Sequence, residues 1–393
     1  MKIFDEIIDR RNTSSIKYDF MAEHGFPEDS MPFWVADMDF RTPQKVIDEL
    51  VNRSRHGIFG YTDFKNDYRE SVANWFRARH NWNPPKDFLT ITPGVVFAIC
   101  TAIRAFTNEN DSILICPPVY HPFFFAIQNN HRNLVQSPLI LKNDRYEMNF
   151  EDFEQKIRDN SVKMFILCSP HNPVGRVWTR EELEKIGEIC LRHGVLIIAD
   201  EIHCDFVYKN FKHTAFASIS DEFEKNSIVC TSPSKTFNLA GLQIANIFIA
   251  DRKLHEKFLA ELQRTGYGDP NTLGLFAAKS AYDFGAAWLD ELLDYLSQNI
   301  QRTRDFLKSE LPSIKMTDIE GTYLLWLDFS KYNLPSEELD RILIHEGKLR
   351  FNSGKIFGIE GKNFQRVNIA CPWKTLEIGL NRLSSCLKKF ETQ

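Results

Sequence analysis

The chain has 393 residues, of which 43% are hydrophobic and 26% charged, a composition typical of a globular protein with about two domains. Its 48 lysines and arginines and 53 acidic residues leave a net charge of −5, without a block of like charges. This balance argues against nucleic acid or an anionic membrane as the main partner.

The cysteines and the N-terminal segment suggest a compartment. The eight cysteines are spread out, with no CxxC pair and no cysteine–histidine spacing typical of zinc, so we expect no metal site. The first residues include early acids and lack the apolar core of a signal peptide, and no apolar run is long enough to span a membrane. We therefore expect a cytoplasmic protein without a membrane partner.

In the middle of the chain, short apolar runs of β type alternate with amphipathic helices. Strands that are apolar throughout and separated by helices indicate an α/β sheet covered on both faces. The predicted strands are Phe88–Thr92, Ser112–Cys116, Asn133–Ser137, Val162–Cys168, Val195–Ala199, Ser227–Thr231 and Ile244–Ala250. The predicted helices are Gly94–Phe106, Pro122–Asn130, Phe150–Asp159, Arg180–His193 and Arg252–Arg264.

After about residue 282 the pattern changes to a mixture that predicts a smaller α+β domain. Its expected elements are the helices Ala286–Glu310, Ser336–Glu346 and Lys374–Phe390 and the strands Tyr323–Phe329 and Gln365–Ala370. We expect a large domain over residues 46–285, with a mostly parallel seven-stranded sheet. Residues 1–45 and 286–393 would form the small domain.

The residues that follow each predicted strand carry the functional signal, because ligands of open α/β sheets bind outside the carboxyl ends of the strands. The first strand leads through Gly94 into a helix, whose N-terminal N–H groups suit an anion. The second is followed by Tyr120, whose ring can stack on a planar heteroaromatic ring. Taken alone, a plain turn and a core aromatic are the better interpretations of these two residues.

Two further strand ends carry polar groups. Asn172 lies between two prolines, which stiffen its backbone, and its amide can donate to a phenolate oxygen. An Asn-Pro turn is the simpler alternative. Asp200 follows five apolar residues, and a buried carboxylate needs a partner such as a protonated ring nitrogen. A metal ligand or a helix cap is the alternative for Asp200, but no HExxH motif or carboxylate cluster supports a metal.

The fifth strand end carries Lys235, which follows the apolar run Ser227–Thr231 and lies among serines. A lysine is usually a solvated surface charge. An amine at the end of a buried strand can, however, form a Schiff base with an aldehyde, and Ser232 and nearby N–H groups can hold a phosphate. Five suitable chemistries at five strand ends predict pyridoxal 5′-phosphate (PLP), whose ring nitrogen needs an acidic partner. Neither GxGxxG after a strand nor GxxxxGK[ST] is present.

With these residues the chain resembles, over essentially its whole length, the fold-type I PLP-dependent enzymes of the aminotransferase class I/II superfamily. It looks most like the branch of cystathionine β-lyases and cysteine-S-conjugate β-lyases. The segments that carry the resemblance are Phe33–Phe40 (FWVADMDF), Gly60–Thr62, Thr92–Val96 (TPGVV), Pro117–Tyr120 (PPVY), Asp200–His203 (DEIH), Thr231–Gln243 around Lys235, and Phe364–Pro372 (FQRVNIACP).

The resemblance implies a role for each matching residue. Lys235 would form the Schiff base, Asp200 would pair with the pyridine nitrogen, and Tyr120 would stack on the ring. Asn172 and His203 would lie near the phenolate oxygen. The residues expected at the phosphate are Gly94, Val95, Val96 and Ser232, with Tyr61 reaching the phosphate of a neighbouring subunit.

The resemblance also implies how the substrate and a second subunit bind. Arg366 would clamp the substrate α-carboxylate, a task that suits a planar guanidinium. Val35, Ala36 and Tyr61 are the other expected substrate contacts, and the role of Tyr61 implies a homodimer with shared active sites. One position departs from the pattern: many aminotransferases of the superfamily have an arginine facing the phosphate where this chain has Gln243. The phosphate would then rely on neutral donors and helix ends.

These residues predict an α,β-elimination in which Lys235, Asp200 and Tyr120 are catalytic. L-cystathionine would give homocysteine, pyruvate and ammonia, and cysteine S-conjugates would give their thiols. The freed Lys235 would remove the Cα proton if burial or the cationic cofactor lowers its pKa. Two alternatives stay open: an aminotransferase, which shares the early steps, and a non-catalytic PLP-binding regulatory protein.

Overall fold

A seven-stranded sheet forms the centre of the computed structural model, which describes residues 3–391. Apart from the edge strand β3, its strands are almost entirely buried, as expected for strands covered on both faces. The strands are β1 (Leu89–Thr92), β2 (Ser112–Ile115), β3 (Asn133–Gln136), β4 (Met164–Cys168), β5 (Leu196–Asp200), β6 (Ser227–Thr231) and β7 (Ala245–Phe248).

The strand order in this sheet is β1-β7-β6-β5-β4-β2-β3. Only β7 runs antiparallel to its neighbours, so the prediction of a mostly parallel seven-stranded α/β sheet is confirmed. The carboxyl ends of β1, β2, β4, β5 and β6 therefore lie along one edge. This edge contains the switch between β2 and β4, where chain order reverses and a ligand crevice is expected.

The helices of the chain agree with the predicted ones to within a few residues where both exist. No counterpart was predicted for five helices: Gln44–His56, Asn66–His80, Asp221–Lys225, Pro233–Thr236 and Thr272–Phe284. The observed α-helices are Gln44–His56, Asn66–His80, Val95–Phe106, Pro122–Gln128, Phe150–Asp159, Arg180–Arg192, Asp221–Lys225, Pro233–Thr236, Arg252–Arg264, Thr272–Phe284, Ala286–Glu310, Ser336–Arg341 and Trp373–Leu387. Among residues 3–391, no helix combines the length and the apolar character needed to cross a bilayer.

A second, antiparallel sheet is built from the C-terminal part of the chain. Its strands, in spatial order, are β8 (Lys315–Met316), β9 (Leu324–Asp328), β11 (Phe364–Asn368) and β10 (Asn352–Ser353). The N-terminal strand Met31–Pro32 pairs in parallel with Leu349–Arg350, which precedes β10. This pairing connects an N-terminal segment to the C-terminal part of the chain. The division into a large domain over residues 46–285 and a small domain stays a prediction.

Candidate active site

A cavity of about 350 Å³ lies at the carboxyl edge of the central sheet. It opens where β1, β2, β4, β5 and β6 end, so five separate segments of sequence contribute to its wall. The residues predicted from the sequence that line it are Ala36, Gly94, Val95, Val96, Tyr120, Asn172, Asp200, His203, Ser232 and Lys235. The sequence therefore predicted most of the polar side chains that line this cavity.

Lys235 lies on the one-turn helix Pro233–Thr236 that directly follows β6. Its Nζ donates to the carbonyl oxygen of Ala36 at 2.7 Å, and burial lowers its pKa to about 8. The next residue, Thr236, donates from its hydroxyl to Asp205 at 2.7 Å, which fixes the short helix against the buried interior. The amine is thus held in place with a proton affinity that suits a base near neutral pH.

Asp200 is the last residue of β5 and lies in register between Cys168 of β4 and Cys230 of β6. It is buried, and burial raises the pKa of its carboxyl to about 7. Its Oδ1 accepts the N–H of Ile202 at 3.2 Å, and no basic side chain among residues 3–391 lies within ion-pair distance of it. A buried carboxylate in this state would be stabilised by a cation in the cavity.

One side of the cavity is formed by the N-terminus of the helix Val95–Phe106, a position that suits an anion. Gly94 caps the helix Val95–Phe106, and a side chain on Gly94 would meet no atom within 4 Å, so the backbone there is open to the cavity. The first N–H groups of this helix have no partner within the helix and point outward from its end. The dipole of the helix also favours an anion at this position.

Ser232 has a different immediate role from the one expected. Its hydroxyl donates to the carbonyl of Ile244 at 2.6 Å and accepts the N–H of Ser234 at 3.0 Å. Ser232 therefore caps the helix that carries Lys235 and has its hydrogen engaged within the protein. Ser234 and Gln243 also line the cavity. Ser234 is the second of the two serines beside Lys235, which the sequence predicts to help hold a phosphate.

Three side chains lie on the wall around the centre of the cavity. Burial raises the pKa of Tyr120 to about 12, with a further contribution from Asp200, so the phenol stays neutral. Burial also lowers the pKa of His203 well below its usual range, so its imidazole is neutral too. Asn172 uses its Oδ1 to accept from Arg366 at 3.1 Å, which leaves its amide N–H groups to donate elsewhere.

Arg366 extends from β11 towards the cavity wall and is buried. Besides Asn172, it donates from Nη2 to the carbonyl of Trp34 at 2.8 Å and to Oδ1 of Asn352 at 2.6 Å. All three acceptors are neutral, and burial lowers its pKa to about 10, so the guanidinium remains charged at neutral pH. Among residues 3–391, no carboxylate lies within ion-pair distance of Arg366, and a buried cation in this state is a suitable receptor for a substrate carboxylate.

The segment from Trp34 to Asp37 lies between the two sheets. The carbonyl of Val35 accepts from Asn368 at 2.6 Å, and the carbonyl of Ala36 accepts from the hydroxyl of Tyr323 at 2.9 Å. These contacts place the segment directly over Lys235. The roles of Asn352, which holds Arg366, and Asn368, which holds Val35, were not predicted, because an asparagine in a strand has no distinctive sequence pattern.

Tyr61 is not part of this cavity. It is 98% exposed and lies in an apolar loop beside Phe59, which is 58% exposed. The loop lines a separate groove with residues 269–273. A single chain therefore does not bring Tyr61 together with the other predicted site residues.

The donor set of the cavity fits PLP. A reactive amine, an unpaired buried carboxylate, a helix N-terminus and an aromatic ring surround one volume, and PLP has an aldehyde, a pyridine nitrogen, a phosphate and a planar ring. No predicted residue on the wall is incompatible with that group.

The chain belongs to the aminotransferase class I and II family, whose family model matches residues 28–383. It is 44% identical to cystathionine β-lyase PatB of Bacillus subtilis, over 98% of this chain and 99% of that protein. A PLP-bound protein of Clostridium difficile 630, provisionally named an aminotransferase, superposes with a TM-score of 0.96 at 46% identity and covers 98% of this chain and 99% of its own. The PLP-bound C–S lyase of Staphylococcus hominis has a TM-score of 0.91 at 33% identity, covering 98% of this chain and 97% of its own.

Proposed function

We propose that this protein is a PLP-dependent C–S β-lyase that cleaves L-cystathionine or cysteine S-conjugates to a thiol, pyruvate and ammonia. The observation that carries the proposal is a cavity lined by Lys235 and Asp200, with Arg366 hydrogen-bonded to Asn172 on its wall. Each of the three is buried or partly buried, and none has an oppositely charged side chain within ion-pair distance among residues 3–391. The naming of the similar proteins from B. subtilis and S. hominis as lyases of this kind supports the choice of reaction.

PLP, when bound, supplies an electron sink that makes the Cα proton of an amino acid acidic. Asp200 would hold the pyridine nitrogen and favour its protonated form, because a buried carboxylate is stabilised by a neighbouring cation. Arg366 orients the substrate by its α-carboxylate, with its own position fixed by Asn172, Asn352 and Trp34. Together these residues would orient the substrate so that Lys235 can reach its Cα proton.

Lys235 takes the proton from Cα in its neutral form, which its lowered pKa makes accessible. The carbonyl of Ala36 provides a hydrogen-bond acceptor for the amine while it is not attached to the cofactor. Loss of the thiolate from Cβ follows proton removal, and the remaining fragment hydrolyses to pyruvate and ammonia. The neutral phenol of Tyr120 lies on the same wall and can stack over the ring or donate a proton there.

The reaction is tested with purified holoenzyme, L-cystathionine and no keto acid. We expect pyruvate, ammonia and a free thiol in equal amounts. A protein that releases no pyruvate but transfers the amino group to 2-oxoglutarate would be an aminotransferase instead.

An aminotransferase is the second candidate, because the same cofactor residues serve both reactions and the similar C. difficile protein carries that name. A parallel assay with 2-oxoglutarate and a panel of amino acids measures this activity on the same preparation. A yellow protein that turns over no amino acid in either assay would support the third candidate, a PLP-binding regulator.

We further propose a homodimer in which Tyr61 reaches the site of the neighbouring subunit. The exposed apolar loop with Ile58, Phe59 and Tyr61 supports this arrangement, because a monomer seldom exposes such a group of side chains. Mixing two inactive variants, Lys235→Ala and Tyr61→Ala, should restore activity, since hybrid dimers would hold one intact site and about a quarter of all sites would be intact. Two variants that stay inactive after subunit exchange would exclude shared sites.

A cytoplasmic location is also proposed. All eight cysteines are free thiols and seven of them are buried, which is expected of a protein from a reducing compartment. Cell fractionation with a cytoplasmic marker enzyme tests it, and recovery with a secreted fraction would contradict it.

A further inference from the structure

Arg350 is a second buried arginine that the proposed mechanism does not use. It lies at the end of the short strand Leu349–Arg350 and is 5% exposed. Its guanidinium carbon lies 3.4 Å from the centre of the Trp34 ring and 4.1 Å from that of Phe26. The two rings shield the flat guanidinium, so polar ligands have access mainly through its N–H edge.

The charge of Arg350 has no partner in the part of the chain that the structure describes. No carboxylate among residues 3–391 lies within ion-pair distance, and its one hydrogen bond runs from Nη1 to the sulfur of Met21 at 3.5 Å. Nε and Nη2 donate to no acceptor among residues 3–391, and neither of these two atoms is fully buried. Burial lowers the pKa of Arg350 to about 10 because it disfavours the charged guanidinium. An anion bound to the N–H groups at Nε and Nη2 would stabilise that charged form.

Arg350 is connected by two short routes to Arg366. Trp34, whose ring covers Arg350, accepts from Arg366 through its carbonyl. Asn352, two residues after Arg350, accepts from the same Nη2 of Arg366. Residues two apart on an extended segment face the same side and are separated by roughly 7 Å. Arg350 is therefore linked to Arg366 through Trp34, which contacts both side chains, and through the short segment from Arg350 to Asn352.

We propose that Arg350 binds the distal carboxylate of a thioether substrate that carries an amino-acid group at each end, such as L-cystathionine. This inference rests on the proposed lyase function and specifies its substrate class. One carboxylate would lie on Arg366 and the other on Arg350, with the scissile C–S bond between them. A planar guanidinium offers the paired N–H donors that a carboxylate prefers. Substrates with one carboxylate gain nothing from it.

Two matched substrates test the assignment. S-aminopropyl-L-cysteine is L-cystathionine without its distal carboxylate, and both release pyruvate on β-elimination. We expect the wild-type holoenzyme to have a KM for L-cystathionine about ten- to a hundredfold lower than for the shortened analogue, the range of a charge-assisted hydrogen-bonded pair. Arg350→Gln should abolish this difference by raising only the KM for L-cystathionine, with similar kcat. Arg350→Lys should restore part of it.

Arg302→Gln is the matched control, because Arg302 is an exposed arginine that lies 5.2 Å from the ring of Trp373. It should leave both KM values unchanged. An equal rise of both KM values in Arg350→Gln would mean that Arg350 only holds Trp34 in place, and would overturn the proposal. Equal KM values in the wild-type enzyme would overturn it as well, without the need for a folded variant.

A binding measurement separates this inference from the function on which it rests. Each compound is titrated against the visible absorption of the bound cofactor, which reports binding without turnover. Tighter binding of L-cystathionine that depends on Arg350, in an enzyme that makes no pyruvate, would support the site and reject the lyase. Pyruvate release from both compounds with the same affinity would support the lyase and reject the site.

Discussion

The cavity has two halves of different origin. The half that would hold the cofactor, with Asp200, Asn172 and Lys235, comes from the ends of parallel strands in one sheet. The half that would hold the substrate is formed by Ala36, with Arg366 behind it in contact with Asn172 and Trp34. It comes from the second sheet and from an N-terminal segment more than 300 residues away in sequence from β11.

The difference shows how chemistry and specificity can be separated in one fold. The strand ends are fixed by backbone ladders in the interior of the central sheet, so their side chains have little freedom. The second half depends on single side-chain hydrogen bonds, such as those that Asn352 and Asn368 make to Arg366 and Val35. We therefore expect substitutions in the first half to abolish the reaction, and those in the second to change which substrate is bound.

The largest effect should come from Lys235→Ala. Loss of the amine removes both the attachment of the cofactor and the base, so we expect kcat to fall by about 10⁴-fold or more. The visible absorption of the lysine-bound cofactor should disappear. Lys225→Ala, at an exposed helix end, is the control. Survival of the absorption band in Lys235→Ala would show that another group binds the cofactor.

The second prediction concerns Asp200→Asn in the protein without PLP. Because burial raises the folded-state pKa of Asp200 from 3.8 to about 7, the folded state binds more protons than the unfolded state between these values. Stability is therefore lost as the pH rises through this window, by up to about 4 kcal/mol at pH 8. Asp200→Asn should remove that loss, so the apo variant should be more stable than wild type at pH 8 and equal near pH 4.

Urea unfolding at several pH values measures this effect, with Asp294→Asn at an exposed position as the control. With PLP bound the sign should reverse, because the asparagine cannot pair with a protonated ring nitrogen. If the stability of the apo variant has the same pH dependence as that of wild type, ionisation of Asp200 in the folded protein does not cost the free energy that its burial implies.

Arg366→Lys tests the substrate half. A lysine keeps the charge but cannot reach Asn172, Asn352 and Trp34 together with a carboxylate, so KM should rise about ten- to a hundredfold. The decrease in kcat should be smaller. Arg341→Lys, which alters an exposed ion pair with Glu338, is the control. A large fall in kcat with unchanged KM would move Arg366 from substrate binding into the chemical steps.

The smallest effect should come from Tyr323→Phe, which removes the hydrogen bond to the carbonyl of Ala36. We expect a change of about two- to tenfold in kcat/KM, the range of a neutral hydrogen bond. Tyr208→Phe loses a comparable buried bond, to Thr322, without touching the cavity. If both variants lose the same activity in proportion to their stability, Tyr323 does not position the segment over Lys235.

The prediction of the fold was most accurate where local pattern decides. Helices Phe150–Asp159, Arg252–Arg264 and Ala286–Glu310 have the bounds that their amphipathic periodicity predicts. The helices Gln44–His56 and Thr272–Phe284 were not predicted. Gln44–His56 is as amphipathic as the predicted helix Arg252–Arg264, so the sequence contained a signal for it. In the fold it packs on Thr272–Phe284.

The residues of the cofactor half could be predicted from local sequence, whereas those of the substrate half could not. Lys235, Asp200 and Asn172 could be found because strand ends are local features, and a parallel sheet brings them to one edge by geometry. Arg366 was found through family resemblance, since a charge in a short strand has no distinctive pattern of its own. Asn352, Asn368 and Arg350 were not found, because their roles depend on contacts between segments that are distant in sequence.

The sequence by itself determined the central sheet, the polar residues that follow its strands and the presence of an amine that can bind an aldehyde. These follow from the period of apolar residues and from short-range chain geometry. Only the tertiary structure decided that Arg366 and Arg350 have no anionic partner in the described part of the chain and that Ala36 lies over Lys235. Whether a charge is buried and unpaired depends on which distant segments pack around it, and local sequence does not encode that packing.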